Sequence, residues 1–407
     1  MIQIIKKDCC GCNACVQRCP KRCITMRADN EGFLYPIVDT TICIDCGICE
    51  KVCPVINKTE PKQPLKVYAA YNKNEDVRMQ SSSGGIFTLL AEKTINKGGV
   101  VFGVKFNKDW MPEFGYAETI EEIAPFRGSK YVQAIVGNAY IKAEEFLKSG
   151  KHVLFSGTPC QIAGLKHFLR KDYDNLLTVD IICHGVPSPK VWKKYLEETY
   201  HKLLKTKQTY KTFTTCSSSL EEISCIETIN FRSKVTGWSK YSFLLKINCT
   251  KNSTDECIIY SQTLHQNTFL RGFIADLYLR PACHNCPCKQ GKSHSDITLA
   301  DFWKIENINK DIDSKNGITA VLINSLKGKD IFQLRDCEHI ESKYEDVVKY
   351  NSARIKSSIM HKDREKFFKK IDKTKSIISL IDYYTKIRLT HRILNKFKRI
   401  FKLQRVD

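Results

Sequence analysis

The 407-residue chain has no apolar run long enough to span a membrane. Its opening, Met1 to Lys7, lacks the apolar stretch and small-residue cleavage site of a secretory leader. There is no Gly-x-Gly-x-x-Gly fingerprint and no Walker-type phosphate loop, so a Rossmann nicotinamide site and a P-loop nucleotide site are both unsupported. Acidic side chains are few for the basic ones present, 44 against 65, and the formal net charge is +21. Nucleic-acid binding is one reading of such a balance. No nucleic-acid motif accompanies it, and an acidic redox partner or an anionic membrane surface fits better.

What the chain does have is cysteine, 20 in all. Cysteine richness without a leader predicts a cytoplasmic protein with metal or redox chemistry, not a disulfide scaffold. The glycosylation sequons at Asn57, Asn248 and Asn252 are then chance. Two runs carry the main signal. Cys9, Cys12, Cys15 and Cys19-Pro20 repeat the spacing of Cys43, Cys46, Cys49 and Cys53-Pro54, each a C-x-x-C-x-x-C-x-x-x-C-P. That is the ligand pattern of a 4Fe-4S cluster, and two copies predict a two-cluster ferredoxin module. Three thiolates on one tight loop reach three irons; the fourth comes from the other run. One cluster is assigned to Cys9, Cys12, Cys15 and Cys53, the other to Cys43, Cys46, Cys49 and Cys19. Zinc, held by cysteine pairs, explains neither the third closely spaced thiol nor the Cys-Pro ending. Cys10 and Cys23 are left over and read as small packed residues.

The expected organisation is a small α+β dicluster ferredoxin domain over 1–56, a polar linker with two prolines over 57–66, and an α/β core with a mainly parallel or mixed sheet. Strands are predicted at Val67–Tyr71, Val100–Phe106, His152–Phe155, Leu176–Ile182 and Ile318–Asn324. Helices are predicted at Gly85–Asn96, Gly137–Leu147, Gln161–Leu169, Lys190–Thr199 and Leu270–Leu279. Residues 207–260, Thr/Ser-rich with alternating apolar positions, read as antiparallel strands with a variable excursion. The core divides into 67–150 and 151–330, followed by a helical basic tail over 331–407.

Six short motifs stand at strand ends or on loops: Ser81-Ser82-Ser83-Gly84-Gly85, Arg127-Gly128-Ser129-Lys130-Tyr131, Gly157-Thr158-Pro159-Cys160-Gln161, Asp180-Ile181-Ile182-Cys183-His184-Gly185, the Cys283/Cys286 pair, and Ser295 through Trp303. In this order they resemble the family of coenzyme F420 hydrogenase/dehydrogenase beta subunits, over roughly Val67 to Leu326. The resemblance implies a flavin-binding α/β core with an iron–sulfur cluster, passing electron pairs between the flavin (FAD) and a soluble carrier or organic substrate. Ser82, Ser83, Gly84 and Gly85 precede a helix, whose positive end and free amides suit a phosphate; the plainer reading is an N-cap and turn. Arg127, Ser129, Lys130 and Tyr131 would neutralise and line a flavin pyrophosphate, against a solvated basic turn. His184 would donate to a flavin edge or relay a proton. Asp301 would orient a polar group of the cofactor, and Trp303 reads as core.

Cys160, Cys183, Cys283 and Cys286 are four further thiols in motif positions. A third 4Fe-4S cluster, a zinc site and buried free thiols all account for them, with Cys288 a substitute ligand. Cys216, Cys225, Cys249, Cys257 and Cys337 lie outside any motif and read as buried apolar residues.

From Arg354 onward the chain carries 17 Lys and Arg against 5 Asp and Glu. Ile393, Leu394, Phe397, Ile400 and Phe401 recur at helical spacing among cations, an amphipathic basic helix. It reads as a peripheral helix packed on the core, or as peripheral contact with the inner face of the membrane. The functional expectation is an iron–sulfur flavoprotein oxidoreductase that takes electrons from a low-potential donor, a ferredoxin or other redox protein. It delivers them to a small organic substrate or a deazaflavin-type carrier. The alternative is a non-catalytic electron-transfer subunit wiring a carrier to a partner enzyme.

Overall fold

The computed structural model describes residues 2, 5–210, 225–251 and 254–385. Each cysteine run forms the same loop. Gly11 (φ 72°) and Asn13 (φ 68°) turn left-handed in the first; Asp45 (φ 48°) and Gly47 (φ 70°) do so at the same two places in the second. Such backbone wraps a loop around a small centre, and glycine or a short polar residue adopts it most easily. Each loop enters one short helix, α1 (Ala14–Arg18) and α2 (Ile48–Lys51). A hairpin of β1 (Ile24–Ala28) and β2 (Leu34–Val38) joins them, with Ile24 opposite Val38.

The core contributes β3 (Lys66–Asn72), α3 (Glu75–Gln80), α4 (Ile86–Ile95), β4 (Val100–Phe106), β5 (Pro112–Ala117), α5 (Ala139–Lys148), β6 (Val153–Gly157), α6 (Pro159–Leu169), β7 (Leu176–Ile181) and α7 (Pro189–Tyr210). An antiparallel three-stranded sheet follows, β8 (Ile226–Ser233), β9 (Ser242–Lys251) and β10 (Thr254–Thr263), then α8 (Thr268–Ile274). The chain returns with β11 (Ile297–Asp301), β12 (Thr319–Ile323) and β13 (Cys337–Ser342). The main sheet has eight strands in the order β13-β3-β12-β11-β7-β6-β4-β5. Its centre, β4, β6, β7 and β11, is parallel; both flanks are antiparallel. The sheet is therefore mixed. Central strands read as continuous apolar runs because both faces are covered: Phe102, Phe155 and Val153 pack toward α5 and α6, while Val101, Leu154 and Leu177 pack toward α4.

Several boundaries differ from the sequence expectation. The helix predicted over Leu270–Leu279 stops at Ile274, where Asp276 turns left-handed (φ 58°) and sends Tyr278 and Leu279 into the core. β5 and β13, both at sheet edges, and β11 were not foreseen as strands. The 57–66 linker is strapped down: Lys62 N donates to Gln290 O and Leu65 N to Ile323 O. Cys225 and Cys257, expected in the interior, are exposed, whereas Cys337 is buried. Cys216 and the side chain of Cys249 lie outside the described residues, as does the basic helix expected at 392–402. Among the described residues no helix is long and apolar enough to cross a membrane.

The ferredoxin-like segment is seated on the core by polar ties. Asn13 Nδ2 donates to Gly137 O at 2.8 Å, and Gln17 Oε1 accepts from the Tyr140 and Ile141 amides at the start of α5. Arg364 pairs with Glu31. The central tie is Arg280, 0% exposed: Nε donates to Cys9 O (2.7 Å), Nη1 to Gln133 Oε1 (2.8 Å) and Nη2 to Leu34 O (2.9 Å), with the guanidinium over the Tyr35 ring. Replacing Arg280 by Met leaves these acceptors dry. Destabilisation of about 3–5 kcal/mol is expected, the range for breaking a buried charged network. Limited proteolysis should then release the first 56 or so residues, which stay attached in the parent chain.

Candidate functional site

Among the described residues, three hollows are walled by thiols. The first is lined by Cys9, Cys12, Cys15 and Cys53, with Cys10 beside them; the second by Cys19, Cys43, Cys46 and Cys49, with Cys23 beside them. They are of similar size, ≈ 330 and ≈ 350 Å³ counting their open mouths. Each run thus contributes three thiols to its own hollow and one to the other, the crossed grouping that the spacing predicts. α1 and α2 produce this by turning each fourth cysteine back across the module. The two hollows differ in exposure. All four motif thiols of the first are buried, whereas Cys19 and Cys43 are part-exposed and Cys46 is exposed, next to Ile44. Burial pushes the Cys15 thiol up to about 12 and raises Cys53 as well. A bare thiolate is unfavourable there, and bound cations would remove that penalty.

The third hollow, ≈ 580 Å³, is lined by Cys160, Cys183, Cys283, Cys286 and Cys288, by Cys10 from the ferredoxin-like segment, and by His184. The fold converges these residues from three places. Thr158 caps α6 in a reciprocal box with Gln161, and Pro159 starts the helix, which sets Cys160 on its first turn. Cys183 follows the end of β7. Cys283 and Cys286 sit on the 3-10 turn Pro281–Asn285 and its exit. Burial pushes Cys283 up to about 12 and raises Cys183 well above the usual thiol range. Cations stand around the hollow. Lys289 Nζ donates to Cys183 O (2.6 Å) and Ala353 O (2.7 Å), and buried Arg354 lines the wall with Nε and Nη2 unpartnered. Among the described residues no three His, Cys, Asp or Glu side chains converge tightly enough for a single metal ion.

The other sequence-predicted residues lie around two neighbouring regions, one at His184 and one at Ser82, Ser129 and Tyr131. His184 Nε2 donates to Asp276 Oδ1 at 2.6 Å, with its ring edge-on to Phe273. Tyr131 stacks on the same Phe273 at 4.8 Å, so one phenyl ring separates the two. Ser82 Oγ accepts from the Ser129 amide at 2.7 Å. Ser83 Oγ donates to Ile318 O and Gly84 N to Thr319 Oγ1, which commits both inside the fold. A Cβ at Gly84 would meet Ala70 O at 2.5 Å, so this glycine serves close packing against β3. Gly85, at φ 82°, forms the left-handed entry to α4. Arg127 donates to Gln80 and Thr88, and Lys130 Nζ to Arg127 O and Gly128 O of its own turn. Lys130 is partly exposed as a residue, but its ammonium is enclosed, and burial pushes it down to about 7.

Residues that sequence reasoning missed hold this region together. Arg232, buried in β8, forms a bidentate pair with Asp301 (2.7 and 3.2 Å), donates to Tyr131 Oη, and lies over Tyr241. Its Nε has no partner. Trp303 stacks on Trp238 at 4.9 Å, and Trp238 Nε1 donates to Asp301. Lys234 Nζ donates to the carbonyls of Arg78, Ser83 and Asn316, and burial pushes it down to about 7. The sequence signal for Arg232 and Lys234 is faint: one cation near the end of a strand and one just past it.

Comparison with known proteins places these features in context. The model described as "Coenzyme F420 hydrogenase/dehydrogenase, beta subunit N-term" matches residues 67–141, and its C-terminus counterpart matches residues 150–348, together well over half the chain. A 4Fe-4S dicluster domain model matches residues 8–57. One of the subunits of the F(420)H(2) dehydrogenase of Methanosarcina mazei is 25% identical over 193 residues, 44% of this chain and 55% of the relative. Ferredoxin 7Fe of Hydrogenibacillus schlegelii is 42% identical over 57 residues, 14% of this chain and 67% of the relative. The chain spans about half the length of the first curated relatives it matches. The F420-reducing NiFe hydrogenase complex of Methanosarcina barkeri aligns with TM-score 0.45 and 15% identity over 77% of this chain and 91% of that one.

Gly164 on α6 tests how tightly the first hollow is held against the core. A Cβ there would lie 2.8 Å from Cys12 Cβ and 3.1 Å from Cys12 Sγ. Gly164→Ala is expected to destabilise by about 1–3 kcal/mol through overpacking. It should also lower iron bound per chain after anaerobic reconstitution, measured by colorimetric iron assay; unchanged iron and stability would show that Cys12 yields freely.

Proposed function

We propose a function from one premise: the chain belongs to the family of coenzyme F420 hydrogenase/dehydrogenase beta subunits and carries a 4Fe-4S dicluster ferredoxin domain at its front. The chain is an iron–sulfur oxidoreductase that accepts electrons from a low-potential redox protein and delivers them to a small organic acceptor or a deazaflavin-type carrier. The observation that carries this reading is the set of three thiol-walled hollows.

Cys9, Cys12, Cys15 and Cys53 would hold one 4Fe-4S cluster, Cys19, Cys43, Cys46 and Cys49 a second, and Cys160, Cys183, Cys283 and Cys286 a third. Such clusters supply one-electron transfer at potentials set by hydrogen bonds, net charge and solvent exposure. In the ferredoxin-like segment the third closely spaced thiol and the Cys-Pro ending of each run favour clusters over zinc. The chain's own residues do the rest. Lys289 and Arg354 set positive charge against the thiolates of the third site. Exposed Cys46 and Ile44 (58% exposed) make the second site the place where a ferredoxin or similar partner docks.

A flavin, FAD, is the finer part of this proposal. When bound it would exchange one-electron for two-electron chemistry. The fit is partial. The unpartnered Nε of buried Arg232, beside Ser82 and Tyr131, suits an absent acceptor. Ser83, Gly84, Arg127 and Lys130 have their polar groups engaged within the fold. A second reading, an electron-transfer subunit without a substrate of its own, is favoured by the name of the relative from Methanosarcina mazei, a dehydrogenase subunit.

Anaerobically purified and reconstituted chain is expected to hold about 12 irons and sulfides and to bleach rapidly and reversibly with dithionite. Changing Cys283 and Cys286 together to Ser should leave about eight. About eight irons in the parent chain would remove the third cluster, and zinc in place of iron would remove the whole reading. One flavin per chain is expected in the same sample, lowered by Arg232→Met; its absence would leave the electron-transfer subunit. Reduction of a deazaflavin by the isolated chain separates the two functions.

A further inference from the structure

Cys10 stands outside both fourfold sets, yet it lines two hollows, that of Cys9, Cys12, Cys15 and Cys53 and that of Cys160, Cys183, Cys283 and Cys286. Cys10 is buried in one apolar cluster with Cys12, of one set, and Cys160, of the other, packs against that cluster. Ala14, Tyr140 and Ile162 are buried in the same cluster. The close approach is enforced from both sides. Arg280 holds Cys9 O on one flank of Cys10, and the missing side chain of Gly164 lets α6 abut Cys12 on the other. Gly11, next in the loop, has no room for a Cβ, which would lie 2.5 Å from Gln133 Nε2 and 2.8 Å from Arg280 Nη1. Among the described residues the second hollow is lined from within the module, where its extra thiol, Cys23, meets Cys19 at 3.3 Å.

We propose that Cys10 is a non-ligating thiol that bridges the first ferredoxin site to the core site, donating its S–H to the sulfur of Cys12 or Cys160. This rests on the three-site reading above. Cys10 is then a positioning residue. A hydrogen bond to a ligand sulfur stabilises the more negative, reduced state and raises the potential of that site. One S–H serves one sulfur at a time, so a single proton biases one site relative to the other. The arrangement also orders the sites, with the second hollow at the surface, the first beneath it, and the core site joined to the first through Cys10.

The test compares the parent chain with Cys10→Ala and Cys10→Ser, each reconstituted with iron and sulfide without oxygen. Iron and sulfide are counted, and the midpoints are followed by potentiometric titration with electron paramagnetic resonance. Equal iron in all three is expected. One midpoint of the alanine variant should move to more negative potential, and serine, which keeps a donor, should return it toward the parent value. Four irons lost in Cys10→Ala, or an alanine variant that cannot be recovered with iron, would make Cys10 a ligand and overturn the proposal. So would unmoved midpoints, or a serine variant that behaves as alanine does. The three-site reading is judged separately, by the iron count of the parent chain; about eight irons there would overturn both.

Discussion

A buried guanidinium joins the two parts of this chain. Arg280 sits three residues ahead of Cys283, and its amide is held by Val186 O close behind Cys183. Its side chain meanwhile binds Cys9 O and Leu34 O in the ferredoxin-like segment. The same residue therefore sets the backbone of one thiol-walled hollow and docks the loop that walls another. Each of the three guanidinium nitrogens has an acceptor, and its flat face lies on Tyr35. A cation withdrawn from water in this way persists only with such full satisfaction. Its geometry consequently tolerates little movement between the two parts.

Around that junction the chain gathers buried thiols and places cations near them. The thiols alone are costly to ionise in apolar surroundings. Lys289, Arg354 and Arg280 line the core hollow and offset that cost for whatever the thiols bind. A second polar knot, Arg232 with Asp301, Tyr131 and Trp238, ties the three-stranded sheet to the strand ends of the main sheet. Phe273 lies between this knot and the His184–Asp276 pair at the rim of the thiol-walled hollow. The two regions are thus separate in contact yet separated by a single ring.

Legibility in the sequence followed range of interaction. The repeated cysteine loops were readable because three of four thiols in each set lie within seven residues, and left-handed backbone at Gly11, Asn13, Asp45 and Gly47 is local too. The central strands were readable from their unbroken apolar runs. The end of α8 was not, because the apolar residues that follow, Leu277 to Leu279, continue the pattern while the left-handed turn at Asp276 reverses the chain. Edge strands β5 and β13 are mostly part-buried or exposed and lose the unbroken apolar signal. The basic turn at Arg127 and Lys130 looked like a ligand cradle because its sequence does not reveal that its cations bind Gln80 and the turn's own carbonyls.

The order of residues by itself determined the ferredoxin module, the α/β rhythm of the core and the family resemblance, since each rests on spacing within one segment. Only the tertiary structure decided that the core sheet is mixed and that Cys10 stands between two hollows. It likewise decided that Arg280, Lys289 and Arg354 line the core hollow. The reason is physical. Sheet order, burial of a cation and the meeting of Cys10 and Cys160 at one hollow arise from packing of distant segments, and no local pattern of the chain encodes them.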